Sequence, residues 1–323
     1  MRIAMKPRPE LLERYELAAA EQGPFPIDWT AVFGRSAPLA VEIGYGGGEY
    51  LCWWAQQQPD WNFVGIELPQ DCVLRAVPQF ARAGLDNVRL LRGDARYLLR
   101  ELFGTGSLER VLMQFPMPWP KEKHAKHRVY SPEFAATLAD VLRPGGEFEL
   151  VTDQAWYAAE TEAVLGAAGP FSIVSSETGP VRAFHTRYER KWEELGRETY
   201  RVVVRLERPA VAPRRILSEE MKVIRLPHAP QDAAVQALTG RRGSQRDAVY
   251  EVKEVFRAED GWFLYLVASD DSFSQHYYMR LTEKQDGRVL LRMHGRPRPY
   301  YTPAVRFALE DLAAELGKAV PAS

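Results

Sequence analysis

A chain of 323 residues with 46% apolar, 26% charged and 11% aromatic side chains has the make-up of a folded protein, which excludes disordered and fibrous classes. Its 42 Lys and Arg against 43 Asp and Glu leave a formal charge of -1, so affinity for a polyanion has to come from local patches. Cys52 and Cys72 stand in neither a zinc spacing nor a Cys-x-x-Cys motif, no apolar run reaches the roughly 18 residues of a membrane span, and the amino terminus has no signal core; a cytoplasmic protein without disulfide, metal or membrane partner is expected.

From Leu39 to Arg208 short apolar runs alternate with helix-period segments, the rhythm of a doubly wound α/β fold with a parallel, Rossmann-like sheet. Strands are predicted at Leu39–Ile43, Asn62–Glu67, Val88–Leu91, Arg110–Phe115, Glu147–Thr152, Phe171–Ser175 and Thr199–Leu206. Helices are predicted at Glu49–Gln58, Cys72–Ala83, Pro132–Leu142 and Ala155–Ala168. Pro209–Pro213 reads as a linker, after which strands at Tyr250–Phe256, Trp262–Val267, His276–Leu281 and Arg288–Met293 and a helix at Val305–Leu316 predict a smaller antiparallel α+β domain. The resulting division is an N-terminal extension over 1–36, a nucleotide-binding domain over 37–209, and a C-terminal domain over 214–323 with 17 Lys and Arg against 15 Asp and Glu.

The first strand runs into Gly44-Tyr45-Gly46-Gly47-Gly48, a turn whose glycines let a ligand approach the backbone. Glu42 in that strand, Glu67 at the end of the second and Asp94 after the third put three carboxylates around one turn. A lone carboxylate in such a place is more often a helix cap, and a glycine turn alone is often only a connection; together they are more specific. Glu49 occupies the third small position of a dinucleotide fingerprint, and acidic groups repel a diphosphate. A nucleoside carrying positive charge, such as S-adenosyl-L-methionine, suits the site better.

The fourth strand delivers Gln114-Phe115-Pro116-Met117-Pro118-Trp119-Pro120 into the crevice where the chain reverses direction across the sheet. Lys121, Lys123, Lys126 and Arg128, with His124 and His127 between them, follow as a cationic run suited to phosphates beside a base-stacking Trp119. The alternative is a solvated charged face. The two histidines lack a third ligand, and a metal is discounted.

These segments, with Val64-Gly65-Ile66-Glu67, Gly93-Asp94-Ala95, Arg143-Pro144-Gly145-Gly146, Thr152-Asp153 and Thr186-Arg187-Tyr188-Glu189-Arg190, resemble in order the bacterial tRNA (guanine-N7)-methyltransferase family over about Trp29 to Arg208. The resemblance implies methyl transfer from S-adenosyl-L-methionine to N7 of a guanosine in the tRNA variable loop. It implies that Glu42, Gly44, Gly46, Glu67 and Asp94 line the cofactor pocket, and that Lys121, Asp153, Thr186, Arg187, Tyr188 and Glu189 meet the tRNA. Met117 stands where the family carries an aspartate regarded as catalytic; with Trp119 it marks the reacting position.

Guanine N7 is an unprotonated lone pair, so no general base is obligatory and positioning can carry the reaction. Glu189 or Asp153 could take over orientation of the base. The alternatives are a catalytically weakened tRNA-binding protein or a methyltransferase for another RNA base, working as a monomer or a homodimer. In the C-terminal domain, Arg241–Arg246 and His294–Tyr301 could touch RNA, although a proline-stiffened lead-in to the last helix explains the second stretch better.

Overall fold

The structure, a computed structural model, describes residues 9–119, 128, 130–167, 169–271, 273–284 and 286–318. The chain divides into two compact units, Met1–Pro213 and Arg214–Ser323. The first opens with α1 (Pro9–Tyr15) and α2 (Trp29–Phe33). Tyr15 is fully buried, edge-on to Phe80, and donates to the Leu85 carbonyl at 2.8 Å. Trp29 stacks on Phe103 with centroids 4.8 Å apart. The described part of the segment read as an extension is therefore packed into the first unit.

Seven strands form one sheet: β1 (Leu39–Ile43), β2 (Asn62–Glu67), β3 (Val88–Arg92), β4 (Leu108–Gln114), β5 (Leu142–Thr152), β6 (Phe171–Thr178) and β7 (Tyr200–Leu206). Their order is β3-β2-β1-β4-β5-β7-β6. β1 is buried at every position and pairs in parallel with both β2 and β4, so the reversal of strand order lies at its carboxyl end. The helices are α3 (Glu49–Gln57), α4 (Gln70–Arg82), α5 (Ala95–Leu102), α6 (Pro132–Val141), α7 (Ala155–Ala167) and α8 (Arg187–Glu194). Ser131 caps α6 through the Phe134 N–H, with Pro132 in its first turn.

Two expectations are corrected here. The sheet is mixed: β7 runs antiparallel to β5 and β6. The chain leaves β6 at Thr178 and re-enters opposite it at Tyr200, with the Gly179 N–H on the Thr199 carbonyl, and such a return at one end needs no crossover. β5 also starts at Leu142 rather than Glu147, because Leu142 pairs with Leu108 ahead of a register shift. A Cβ at Gly146 would sit 2.9 Å from the Arg143 carbonyl, so this irregular start depends on glycine.

The second unit is a six-stranded sheet in the order β8-β13-β12-β11-β10-β9, made of β8 (Ile224–Leu226), β9 (Arg242–Gln245), β10 (Ala248–Ala258), β11 (Gly261–Asp270), β12 (Phe273–Glu283) and β13 (Val289–Met293). All its pairings are antiparallel. A short helix, α9 (Asp232–Gln236), follows β8, and α10 (Pro303–Leu316) buries Val305, Leu309 and Leu312 in the core with Leu264, Leu266 and Met279. Tyr301 is buried just ahead of α10, so the lead-in reading of that stretch describes it. Arg241 bonds Asp311 and Tyr250 and pairs with Glu315, which absorbs one of the arginines considered for RNA contact. Among the described residues no helix is long and apolar enough to cross a membrane.

Candidate active site

The turn after β1 has left-handed backbone at Gly44 (φ 74°), Gly46 (φ 54°) and Gly48 (φ 80°). A Cβ on Gly44 or Gly46 would meet nothing within 4 Å, so these two face open space; one on Gly48 would lie 2.7 Å from the Ala76 Cβ and 3.0 Å from Phe80. The close approach between the start of α3 and α4 is therefore made at Gly48. Glu49 serves elsewhere: its Oε2 accepts from the Arg187 N–H at 2.8 Å, tying the start of α3 to the start of α8.

Glu42 is only 2% exposed. Its Oε1 accepts from Gln114 Nε2 at 2.9 Å, and its buried Oε2 has no hydrogen-bond partner. Burial pushes its carboxyl up to about 8, against the opposing pull of the Gln114 bond and of Arg182. Glu67 is half-buried, with Oε2 accepting from the Leu68 N–H at 2.7 Å. Asp94 caps α5 through the Arg96 N–H at 3.0 Å and is paired with the Arg96 guanidinium, so it does what strand-end carboxylates most often do.

Beyond β4, Phe115 (φ 48°) and Trp119 (φ 47°) hold left-handed backbone, which costs a non-glycine residue about 1–3 kcal/mol. Met117 between them is 64% exposed. Trp119 is half-buried and its carbonyl accepts from Arg128 Nε at 3.1 Å. The Arg128 guanidinium lies 5.4 Å from the Trp156 ring and 4.0 Å from Glu160, and its side chain is 10% exposed. Arg128 thus turns inward and clasps the loop, a correction to its place in an outward cationic run. Lys121, with Lys123, His124, Lys126 and His127, lies outside the described residues.

The segment after β6 is fixed by contacts that the sequence reading did not name. Arg182 donates to Gln114 Oε1 at 2.5 Å, pairs with Glu189 Oε1, and lies 5.1 Å from the Tyr50 ring. Phe184 stacks on Trp53 at 5.4 Å. Thr186 Oγ1 accepts from the Glu189 N–H at 3.2 Å while Glu189 Oε2 accepts from the Thr186 N–H at 2.7 Å, a reciprocal capping box at the start of α8. Glu189 is 3% exposed with both oxygens engaged, so its carboxylate faces the protein, which corrects the expectation that it turns to the substrate. Its reach is indirect: Glu189, Arg182, Gln114 and Glu42 form one chain of hydrogen bonds from α8 to β1. Tyr188 is 55% exposed beside the Arg187 guanidinium. Asp153 accepts from Gln154 Nε2 at 2.8 Å and Arg197 Nη1 at 3.3 Å, and the Gln154 N–H donates to Thr152 Oγ1.

The capping box was legible as Thr186-x-x-Glu189. The sequence marked Arg182 only as one of several cations that neighbouring glutamates could pair, not as a link to Gln114. Among the described residues no group of three or more His, Cys, Asp or Glu side chains could hold a metal.

A sheet of this order, with a glycine turn opening beside a buried acid at its switch point, is an α/β fold with a ligand crevice at the carboxyl end of β1. A family model described as "Putative methyltransferase" matches residues 36–202. The tRNA (guanine-N(7)-)-methyltransferase of Thermotoga maritima is 36% identical over 313 residues, covering 95% of this chain and 98% of the relative. That of Thermus thermophilus is 30% identical, covering 90% and 93%. The chain belongs to the tRNA (guanine-N7)-methyltransferase family. An alignment of 313 residues takes in most of the second unit, whereas the Acidithiobacillus ferrooxidans relative, 38% identical, matches only 54% of this chain, so the second unit is shared with some members of the family.

Proposed function

We propose that the protein transfers a methyl group from S-adenosyl-L-methionine to N7 of a guanosine in the tRNA variable loop, in the cytoplasm where unmodified tRNA is met. The observation that carries this reading is the unpartnered Glu42 Oε2 beside the open Gly44–Gly46 turn, in a chain that aligns nearly end to end with a tRNA (guanine-N(7)-)-methyltransferase. A buried acceptor without a partner costs about 1–3 kcal/mol, and a cationic ligand offsets that by ionising and pairing it. The residues present fit such a cofactor: Glu42 meets positive charge, Gly44 and Gly46 leave room against the backbone, and Glu67 and Asp94 supply acceptors for a nucleoside. When bound, the cofactor supplies a methyl group on a sulfonium, with a neutral thioether as leaving group.

A methyl group taken up at N7 would leave the positive charge on the purine. No proton leaves the nucleophile, so Met117 in place of an aspartate is compatible with turnover. Trp119 offers a ring for the base, and the chain from Glu42 to Glu189 fixes the pocket wall against α8. Lys121, Asp153, Thr186, Arg187 and Tyr188 are assigned to the tRNA side; Thr186 and Glu189 act there by setting the start of α8.

A binding protein without turnover has no use for a buried, half-satisfied Glu42, which disfavours that alternative. Transcripts with guanosine and with 7-deazaguanosine separate the substrate atom. Labelled methyl should enter the first and not the second, and equal labelling of both would exclude N7 as the acceptor.

A further inference from the structure

Among the described residues of the second unit, both helices, α9 and α10, pack into the core on one face of the sheet. Along β11, Trp262, Leu264, Leu266 and Ala268 are buried in the core with α10, so the alternate residues Phe263, Tyr265 and Val267 project from the opposite face. On β12, Tyr277, Met279 and Leu281 are buried, and His276, Tyr278 and Arg280 project with that second set. Register places Tyr265 opposite Tyr278, Phe263 opposite Arg280, and Arg280 opposite Arg292 of β13.

These groups form one patch. The Tyr265 and Tyr278 rings stack at 5.1 Å, the Arg280 guanidinium sits 4.3 Å from the Phe263 ring, and His294 meets Phe263 edge-on at 4.9 Å. The three rings are half-buried, while His276 and Arg292 are exposed. Arg225 on β8 lies across Leu290, the neighbour of Arg292 two positions along that face. The acids of the face, Glu251 and Glu254, are on β10, where Glu251 is paired with Arg242 and Lys253; Asp260 in the β10–β11 turn pairs with Arg280.

Tyr, Phe and Arg are also enriched where two protein chains meet, so the choice of partner falls on charge: Arg225, His276 and Arg292 are exposed on this face, while Glu251 and Asp260 are already paired. Rings on an open sheet stack unpaired bases, and arginines between them meet phosphates.

We propose that this face binds an unpaired stretch of the tRNA, with bases on Phe263, Tyr265 and Tyr278 and phosphates on Arg280 and Arg292; the proposal rests on tRNA being the substrate. The full-length protein, Y265L/Y278L and R280Q/R292Q are titrated with unmodified tRNA and with an unpaired 12-nucleotide RNA over a salt series. Cofactor affinity, thermal melting and sedimentation are measured alongside. Y265L/Y278L should weaken both RNAs about tenfold or more, and R280Q/R292Q should lower the salt slope by up to about 2, with cofactor affinity and kcat at saturating tRNA unchanged. Unchanged RNA affinity in both variants overturns the proposal, as does a shift from dimer to monomer with RNA affinity intact, which makes the face an interface between copies. If Y265L/Y278L fails to fold, R280Q/R292Q decides. A wild-type protein that binds RNA but forms no 7-methylguanosine overturns the substrate reading instead, and the short RNA still reports on the face.

Discussion

Glu42 holds a proton at neutral pH because its carboxyl is buried and only half satisfied, and titration gives direct access to it. Its folded value, about 8, lies above the ordinary 4.5, so between those two pH values the native state keeps a proton that the unfolded chain has released. The stability it contributes is full below about pH 4.5 and is lost as pH rises through about 8, at close to 1.4 kcal/mol per pH unit within the window. Urea unfolding of wild type and E42Q from pH 5 to 8 should show a smaller pH slope in the variant; parallel curves would mean that Glu42 is not the titrating group. Arg182 is the second residue on which the site depends. Its guanidinium is 7% exposed, between Gln114 and Glu189, and R182A leaves a buried carboxylate without its partner. A loss of about 3–5 kcal/mol in unfolding free energy is expected, and a loss below 1 kcal/mol would show that the pair is not buried in solution.

At the scale of elements, α8 is a helix with a weak apolar stripe, and its start depends on the Thr186–Glu189 box and on Glu49. T186A should cost about 0.5–2 kcal/mol and speed hydrogen exchange in the first turn of α8 before it affects the sheet. Exchange there as slow as in wild type would show that Glu49 suffices. The same weakness hid α8 from the sequence, where Arg187–Glu194 is almost wholly polar. α5 was missed for a different reason: eight residues give too short a period to separate it from the turn at Asp94. β1 to β4 were legible because buried parallel strands are near-continuous apolar runs. The reversed direction of β7 was not, since it is set by where the chain re-enters the sheet and not by the strand's own residues. β8 and β9, three and four residues long, carry too little pattern to read. In the site, the glycine turn and the acids Glu42 and Glu67 could be placed from strand ends alone. That Glu42 is buried against Gln114, and that Arg128 points inward, depends on contacts between distant segments; a run of cations announces charge but not direction.

For the whole molecule, near-zero net charge means that tRNA is held by local cationic patches. Affinity for tRNA should fall steeply as salt rises from 50 to 200 mM, while cofactor affinity should change far less if, as proposed, it rests on the enclosed Glu42. Equal salt dependence of the two would contradict that division. The two units then contribute separately: the first carries the reaction, and the second offers a stacking face for RNA. The central claim is tested most directly by incubating the full-length protein with unmodified tRNA and methyl-labelled S-adenosyl-L-methionine, digesting the RNA to nucleosides and separating them. The account predicts label in 7-methylguanosine; cofactor bound at saturation with no label in that nucleoside would contradict it.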